Sequence, residues 1–240
     1  MQNHLPIDAV LPDLIDALRA SGMAVLQAPP GAGKTTRVPL AMLNAGLVQG
    51  KIIMLEPRRL AARAAAERLA SQLDEQVGET VGYAMRGTRK SGPNTRIEVV
   101  TEGILTRMLQ SDPELQGIGA VIFDEFHERS LNADLGLALC LECRAALRQD
   151  LAILVMSATL DAAPVAALLD DAPIITSEGR SFPIEQHFLN RPRTKESRLE
   201  AAMANLIETA LSVTEGGLLA FLPGEGEIRR TETLLRQRVG

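Results

Sequence analysis

Short apolar segments without polar alternation recur along most of the chain, separated by longer segments with helical periodicity. The clearest apolar segments are Met23–Gln27, Lys51–Leu55, Ala120–Asp124 and Leu151–Met156. A strand with one face in water would alternate apolar and polar residues, whereas these segments are typical of strands buried on both faces. The pattern predicts an α/β fold in which helices cover both faces of an open parallel sheet.

The segments between these strands predict the covering helices and two further strands. The predicted helices comprise residues 7–19, 38–44, 58–73, 103–110, 135–147 and a helix that begins at Asp161. Pro12 is expected to kink or restart the first helix. Two further strands are predicted at 79–84 and 96–101, with a polar turn at 87–94 between them.

The pattern changes after about Ser177. Gly179, Pro183 and Pro192 interrupt a segment of mixed charge, which is followed by a predicted helix (199–211), strand (218–222) and helix (227–238). One helix-strand-helix set cannot enclose a core of its own. We therefore predict a first domain at residues 1–178, and a linker with the incomplete amino-terminal part of a second domain at 179–240.

Composition and charge limit the kinds of partner that the chain can bind. The net charge of −5 gives no overall basic surface for nucleic acid, so any such contact must be local. One Tyr, five Phe and no Trp argue against a platform of exposed rings for base stacking. Two basic clusters remain, which are either solvated faces or local binding sites: Arg58, Arg59 and Arg63; and Arg86, Arg89, Lys90 and Arg96.

The two cysteines, Cys140 and Cys143, have the C-x-x-C spacing of some metal and redox sites. They lie within a periodic apolar segment, and His4, His127 and His187 offer no second pair of ligands at zinc spacing. Two small thiols, buried or half-buried, are the favoured interpretation. Because the sequence has no apolar segment of membrane-spanning length and no signal peptide, we expect a soluble cytoplasmic protein.

A glycine-rich turn between the first strand and the following helix predicts a phosphate-binding loop. Gly31 and Gly33 allow successive backbone N–H groups to surround a phosphate, and the helix adds its positive amino end. Lys34 is expected to contact the β- and γ-phosphates, and the Thr35 hydroxyl to bind Mg²⁺. The predicted nucleotide-binding residues are Ala28, Pro29, Pro30, Gly31, Ala32, Gly33, Lys34, Thr35 and Thr36.

Acidic residues at the end of a second buried strand complete this prediction. Asp124 is expected to hold Mg²⁺, and Glu125 to orient and deprotonate the attacking water. Taken alone, these residues and Glu128 are also compatible with a polar loop, but a phosphate-binding loop upstream favours one Mg²⁺-ATP site. Ser157 and Thr159, after the strand Leu151–Met156, are either a turn or partners of the acidic loop.

Seven motifs follow one another along the chain: GAGKTT (31–36), PRRLAA (57–62), TEGIL (101–105), DEFHER (124–129), SAT (157–159), GRSFPIE (179–185) and LLAFLPGEGEI (218–228). In this order they resemble the superfamily 2 DEAH-type helicases, and the DEFH variant is most similar to the bacterial HrpB-type ATP-dependent helicases. Phe126 stands where the family more often has Ala. The resemblance covers nearly the whole chain and implies two RecA-like P-loop domains.

The resemblance also implies roles for residues whose types alone indicate little. Arg58, Arg59, Thr101, Glu102 and Gly103 match motifs that contact the sugar-phosphate backbone of a single strand, RNA in preference to DNA. The residues that match positions coupling nucleotide state to domain movement are His127, Ser157 and Thr159.

Two departures from the family pattern affect these expectations. Ala28 occupies a frequent glycine position, which the motif tolerates. The family's later motifs, including an arginine finger, would follow Gly240, and the loss of such a finger reduces turnover by about 10³–10⁵. We therefore expect the 240-residue chain to bind Mg²⁺-nucleotide weakly without unwinding duplexes. A DNA translocase and a nucleotide-gated scaffold with little catalysis remain alternatives.

Overall fold

A computed structural model describes residues 4–158, 162–179, 183–189 and 198–239. The chain divides into two compact units, Met1–Phe182 and Pro183–Gly240. The predicted coupling residue Thr159, the first residue of the predicted helix at Asp161 and residues 180–182 of the GRSFPIE motif lie outside the described residues.

In the described part of the first unit, eight strands form one sheet with the order β4-β3-β5-β2-β6-β7-β1-β8. All neighbouring pairs are parallel except β3 and β4. The strands are β1 (Met23–Gln27), β2 (Lys51–Glu56), β3 (Val81–Met85), β4 (Thr88–Lys90), β5 (Ile97–Thr101), β6 (Ile118–Phe123), β7 (Ala152–Ser157) and β8 (Ile174–Thr176).

Helices connect the parallel strands and lie on both faces of the sheet. Those of the first unit are α1 (Leu11–Ser21), α2 (Lys34–Asn44), α3 (Arg59–Ser71), α4 (Glu102–Ser111), α5 (Leu131–Ala146) and α6 (Ala162–Leu168). The predicted α/β class, with an open and mostly parallel sheet, is confirmed.

The core consists of two apolar layers, one on each face of the sheet. In β2, Ile52 and Met54 belong to one layer, whereas Ile53 and Leu55 belong to the other. All four side chains are fully buried or nearly so. Each such side chain contributes about 1.5–3 kcal/mol relative to an exposed one. Burial on both faces therefore explains why β2 has no polar alternation.

The amino-terminal segment contacts the turn that follows β1. A 3-10 helix (Pro6–Ala9) precedes α1, and Pro12 lies in the first turn of α1, so the proline marks a restart and not a kink. The backbone N–H of Ile7 donates to the carbonyl of Ala32 at 3.1 Å. This hydrogen bond attaches the start of the described chain to the glycine-rich turn.

Two short edge strands escaped prediction. The segment predicted as a polar turn at 87–94 contains β4, whose exposed residues pair antiparallel with β3. The other edge strand, β8, pairs parallel with β1. An edge strand obtains its hydrogen bonds from one neighbour and needs little apolar burial, so apolar periodicity does not detect it.

The second unit contains two described helices, α7 (Leu199–Val213) and α8 (Glu225–Val239), close to their predicted positions. Arg230 on α8 forms an ion pair with Glu200 on α7 at 2.6 Å. The strand predicted at 218–222 is wrong: these residues form no ladder, and Leu219 and Phe221 are 78% and 81% exposed. A strand requires a neighbour for its backbone hydrogen bonds, and the described residues of this unit provide none.

Both cysteines of α5 are buried, as predicted. Burial raises the pKa of the Cys140 thiol to about 12 and also raises the pKa of Cys143. Thiols in such surroundings are poor nucleophiles and poor metal ligands. Across the described ranges, no helix has the length and hydropathy needed to cross a bilayer.

Candidate nucleotide and nucleic-acid site

The predicted site residues cluster at the carboxyl edge of the sheet, where ligands bind in open parallel α/β folds. The glycine-rich turn follows β1, and the acidic segment follows β6. The PRRLAA motif follows β2, which is the neighbour of β6 in the sheet. The TEGIL motif lies at the end of β5, which is the neighbour of β2 on its other side. The strand order thus gathers motifs that are far apart in sequence.

The glycine-rich turn has the backbone geometry of a phosphate-binding loop. Gly31 and Gly33 have φ values of 77° and 99°, a left-handed conformation that favours glycine. A Cβ atom on Gly33 would also lie 2.6 Å from Leu5 Cδ1. Gly33 is the N-cap of α2, and no side chain caps the amino end of this helix. The first turn of α2 can therefore direct backbone N–H groups at an anion.

Lys34 is buried and directed into its own loop. Its ammonium group donates to the Ala28 carbonyl at 2.8 Å and approaches the Pro29 carbonyl at 3.5 Å. A buried ammonium with two carbonyl partners retains a donor for a further oxygen atom. Lys34 therefore supplies a positive charge within the loop, as required for binding a triphosphate.

The glycine-rich turn and the acidic segment meet directly. The Thr35 hydroxyl donates to Asp124 Oδ2 at 2.6 Å, although the two residues are 89 positions apart. The other carboxylate oxygen of Asp124 accepts from the backbone N–H of Glu125 at 2.8 Å. Burial raises the pKa of Asp124, and the nearby Glu125 carboxylate adds to this effect, while the hydrogen bond from Thr35 opposes it.

Glu56, the last residue of β2, is a buried carboxyl group beside Asp124. Burial is the main cause that raises its pKa to about 9, and the charge of Asp124 and a hydrogen bond with its side chain add to the rise. Two carboxyl groups in contact cannot both ionise at low cost, so the pair of Glu56 and Asp124 favours the retention of one shared proton. The apolar pattern of β2 did not indicate this group; its signal was an acidic residue at a strand tip.

The acidic segment also contacts the end of β7. Glu125 has φ of 49°, an uncommon conformation for a non-glycine residue, and its carboxylate lies 3.4 Å from His127 Nε2. The other ring nitrogen of His127 accepts from the backbone N–H of Ala158 at 3.3 Å. Ser157 is buried, and its carbonyl accepts from the Ala28 N–H at 3.0 Å. Two predicted coupling residues, His127 and Ser157, therefore lie beside the acidic segment and the glycine-rich turn.

Residues of the predicted nucleic-acid motifs surround the loop after Glu125. The Arg58 guanidinium, 70% exposed, forms an ion pair with Glu128. Thr101 is the N-cap of α4, and the Glu102 carboxylate accepts from the Ser130 hydroxyl at 2.6 Å. Arg59 and Gly103 are exposed at the starts of α3 and α4. The sequence alone gave no specific role to Glu128 or Ser130, because their partners become neighbours through the strand order.

Other members of the basic clusters are engaged elsewhere. Arg63 pairs with Glu67 one turn along α3 at 2.8 Å. Arg89 pairs with the buried Glu98 of β5 at 3.0 Å. Arg96 donates to the Gly50 carbonyl at 3.2 Å. These contacts are those of a solvated or structural face, whereas Arg58 extends over the acidic loop.

The oxygen donors present fit a magnesium ion bound together with a nucleotide. Among the described residues, no group of three or more His, Cys, Asp or Glu side chains could hold a metal ion alone. Mg²⁺ is usually bound through one or two protein oxygens, substrate phosphates and water. The Thr35 hydroxyl and the Asp124 carboxylate, already in contact, are donors of this kind.

Comparisons with known proteins agree with this geometry. Residues 10–168 match the DEAD/DEAH box helicase family. Over 238 residues the chain is 54% identical to the Escherichia coli (strain K12) protein named ATP-dependent RNA helicase HrpB, covering 99% of this chain and 29% of that protein. The chain therefore spans less than a third of that relative's length.

Two solved structures support the same relationship. A crystal structure of the E. coli DEAH/RHA helicase HrpB matches with a TM-score of 0.90 at 54% identity, covering 99% of this chain and 30% of that one. A crystal structure of the E. coli DExH-box NTPase HrpB matches with a TM-score of 0.77 at 53% identity, covering 100% and 30%. With its glycine-rich turn joined to the DEFH segment, the chain belongs to the DEAD/DEAH box helicase family.

Proposed function

We propose that this chain forms the nucleotide-binding and nucleotide-hydrolysing part of an ATP-dependent motor that moves on single-stranded nucleic acid, with RNA as its substrate. The direct hydrogen bond between Thr35 and Asp124 carries the proposal, because it joins the phosphate loop to the acidic segment at one sheet edge. A nucleic-acid motor needs both parts in a single pocket.

Each group at this edge has a defined part in the proposed reaction. The backbone of Ala28–Thr36 surrounds the phosphates, and Lys34 balances the charge of the β- and γ-phosphates. Thr35 and Asp124 would hold Mg²⁺, which neutralises phosphate charge when bound. Glu125 orients the attacking water and accepts its proton. His127 and Ser157, with Thr159, would couple nucleotide state to domain movement.

The nucleic-acid assignment includes Arg58, Arg59, Thr101, Glu102 and Gly103. Their motifs begin beyond adjacent strands, and Arg58 and Arg59 give a local positive charge on a chain of net charge −5. Contacts of this kind are directed at the sugar-phosphate backbone and weaken as salt increases. The RNA preference follows from the name of the 54% identical relative, an ATP-dependent RNA helicase.

We extend the proposal to organisation and location. Residues 1–178 would form the first RecA-like domain, and residues 179–240 a linker and the first part of the second. A cytoplasmic location agrees with the requirement for ATP and with the absence of a membrane-spanning helix from the described residues.

Replacing the proposed catalytic base tests the mechanism. In a protein of helicase length that contains this chain, Glu125→Gln should reduce RNA-stimulated ATP turnover by about 10²–10⁴, while nucleotide binding is retained. Glu114→Gln, the same change at an exposed residue far from the carboxyl edge, should have wild-type turnover. Undiminished turnover in Glu125→Gln would remove this residue from the mechanism.

A second measurement tests the choice of nucleic acid. ATP turnover stimulated by single-stranded RNA is compared with that stimulated by DNA of the same length and sequence. Stronger stimulation by RNA supports the proposal, because recognition of RNA requires contacts with the 2′-hydroxyl groups. Equal or stronger stimulation by DNA favours a DNA translocase. Binding of the RNA and of the DNA without any ATP turnover favours a nucleotide-gated scaffold.

A further inference from the structure

The loop that contains the proposed catalytic residues also contacts both predicted nucleic-acid motifs. We define residues Asp124–Ser130 as the acidic loop. Glu128 of this loop forms an ion pair with Arg58, and Ser130 donates a hydrogen bond to Glu102 at 2.6 Å. The acidic loop therefore contains the proposed water-activating residue, Glu125, and touches the proposed strand-binding surface through Glu128 and Ser130.

The ion pair between Arg58 and Glu128 is open to competition from a nucleic-acid phosphate. The Arg58 side chain is 70% exposed and that of Glu128 is 35% exposed, so solvent and solutes reach both groups. Guanidinium groups bind carboxylates and phosphates with the same paired N–H geometry. A phosphate that binds Arg58 must therefore displace Glu128 or share the guanidinium with it.

Glu128 is one short turn away from Glu125. The backbone N–H of Glu128 donates to the Glu125 carbonyl at 2.9 Å within the 3-10 turn Phe126–Glu128. Residues with positive φ flank this turn, with φ of 49° at Glu125 and 42° at Arg129. A strained turn of this size has few alternative conformations, and its hydrogen bond connects the backbone of Glu128 directly to that of Glu125.

We propose that Glu128 is a positioning residue that senses strand occupancy through Arg58. In the resting state Glu128 forms its ion pair with Arg58, and this ion pair holds the acidic loop in the observed conformation. A bound strand replaces Glu128 with a backbone phosphate, releases the loop and thereby links nucleic-acid binding to the position of Glu125. This inference rests on the proposed function, since it requires a strand at Arg58 and a nucleotide at Lys34.

The first test measures the affinity for a fluorescently labelled oligouridine in the helicase-length protein. Glu128→Gln should bind it about two- to fivefold more tightly, because an exposed ion pair of ordinary strength no longer competes with phosphate. Glu67→Gln is the matched control: it removes the same charge and breaks an arginine ion pair on α3, but does not touch the acidic loop. Equal gains in both variants would overturn the proposal.

A double-mutant cycle shows whether the gain depends on Arg58. In the Arg58→Gln background, Glu128→Gln should give no further gain in oligouridine affinity, since the residue for which the carboxylate competed is absent. A gain that persists without Arg58 would mean that Glu128 acts by general charge repulsion, and would overturn the sensing role.

The second test measures the coupling between the two ligands. In the wild-type protein, oligouridine should change the affinity for Mg²⁺ and a non-hydrolysable ATP analogue, and the analogue should change oligouridine affinity by the same factor. In Glu128→Gln this factor should move towards one, while in Glu67→Gln it should match wild type. A wild-type factor in Glu128→Gln would overturn the inference.

The two proposals fail in distinguishable ways. If the motor assignment is wrong, oligouridine will not stimulate ATP turnover in the wild-type protein. If only the sensing role is wrong, oligouridine will stimulate turnover in the wild-type protein and Glu125→Gln will strongly reduce it, while Glu128→Gln retains wild-type affinity and coupling. Thermal melting of each variant shows that it is folded before affinities are compared.

Discussion

Charged residues have opposite roles at the two edges of the central sheet that are formed by the amino ends and the carboxyl ends of its parallel strands. At the amino edge, where β1, β6 and β7 begin, two arginines satisfy backbone carbonyls of the protein itself. Arg144 donates to Gln149, Leu151 and Ser21, and Arg148 donates to Glu114, Leu115 and Ile118. Gly22 leaves room for the Arg144 guanidinium, which lies where a Cβ atom would be.

At the carboxyl edge, the charged groups are left in costly arrangements. Glu56 and Asp124 are buried together with raised pKa values, and Lys34 has backbone carbonyls as its nearest oxygen partners. Glu125 and Arg129 have positive φ values, which are uncommon for residues other than glycine. An ion and a polyphosphate would compensate for these costs, whereas the amino edge requires no ligand. From this comparison we expect stability and binding to depend on opposite ends of the same strands.

The largest effect on stability is expected at the amino edge. Arg148→Ala should lower the free energy of unfolding by about 2–4 kcal/mol, because three backbone carbonyls each lose a hydrogen bond from the guanidinium group and Asp150 loses its ion pair. Urea denaturation measures the change, and nucleotide affinity should stay at the wild-type value. Arg107→Ala, at an exposed position on α4, should cost less than about 0.5 kcal/mol. Similar losses in both variants would contradict the special role of the amino edge.

A smaller effect, on binding in place of stability, is expected at the carboxyl edge. Lys34→Met should weaken Mg²⁺-ATP binding by about 10- to 100-fold, since charge-assisted contacts contribute roughly 1.5–3 kcal/mol. Titration with a fluorescent nucleotide measures the affinity, and urea denaturation shows whether stability changes. Lys51→Met, the same substitution at the amino edge, should bind nucleotide normally. If Lys34→Met lowers the free energy of unfolding but binds nucleotide with wild-type affinity, the proposed difference between a binding edge and a stabilising edge is wrong.

The third effect is a change in the pH dependence of stability. Glu56 has a folded pKa of about 9 against an ordinary value of 4.5, so the folded protein binds more protons between these values. Stability therefore falls as pH rises through this window, by at most about 1.4 kcal/mol per pH unit. Glu56→Gln should reduce this fall, which urea denaturation without Mg²⁺ at about pH 6 and about pH 8 would detect.

The matched control for Glu56 is Glu98, the other buried glutamate of the sheet. Glu98 has partners that stabilise its charge: Arg89, and the Ser91 hydroxyl at 2.6 Å. Glu98→Gln should therefore lower stability, while Glu56→Gln should raise it near pH 8. The same direction of change in both variants would show that Glu56 does not carry a cost of burial.

The way in which each element is buried explains whether it could be predicted from the sequence. The first strand was predicted with its observed bounds, Met23–Gln27, because burial on both faces gives an uninterrupted apolar segment. The polar strand β4 was missed because one neighbour supplies its hydrogen bonds. The apolar segment 218–222 was predicted as a strand but forms none, because apolar character alone does not provide a pairing partner.

Residues of the site that are consecutive in sequence could be predicted, whereas contacts between neighbouring strands could not. Gly31, Gly33, Lys34 and Thr35 were predictable because a phosphate loop is specified by consecutive residues. The proximity of Glu56 to Asp124, and that of Arg58 to Glu128, depends on β2 and β6 being neighbours. Strand order is a property of the whole sheet, so no local pattern could have indicated these pairs.

The contact between the amino-terminal segment and the phosphate loop determines where the functional unit begins. The family match starts at residue 10, yet the Ile7 N–H bonds to Ala32, and Leu5 lies where a side chain on Gly33 would be. A boundary drawn at the shared family core would therefore expose the back of the loop to water. The residues that support the proposed phosphate-binding loop from behind therefore precede the region matched by the family.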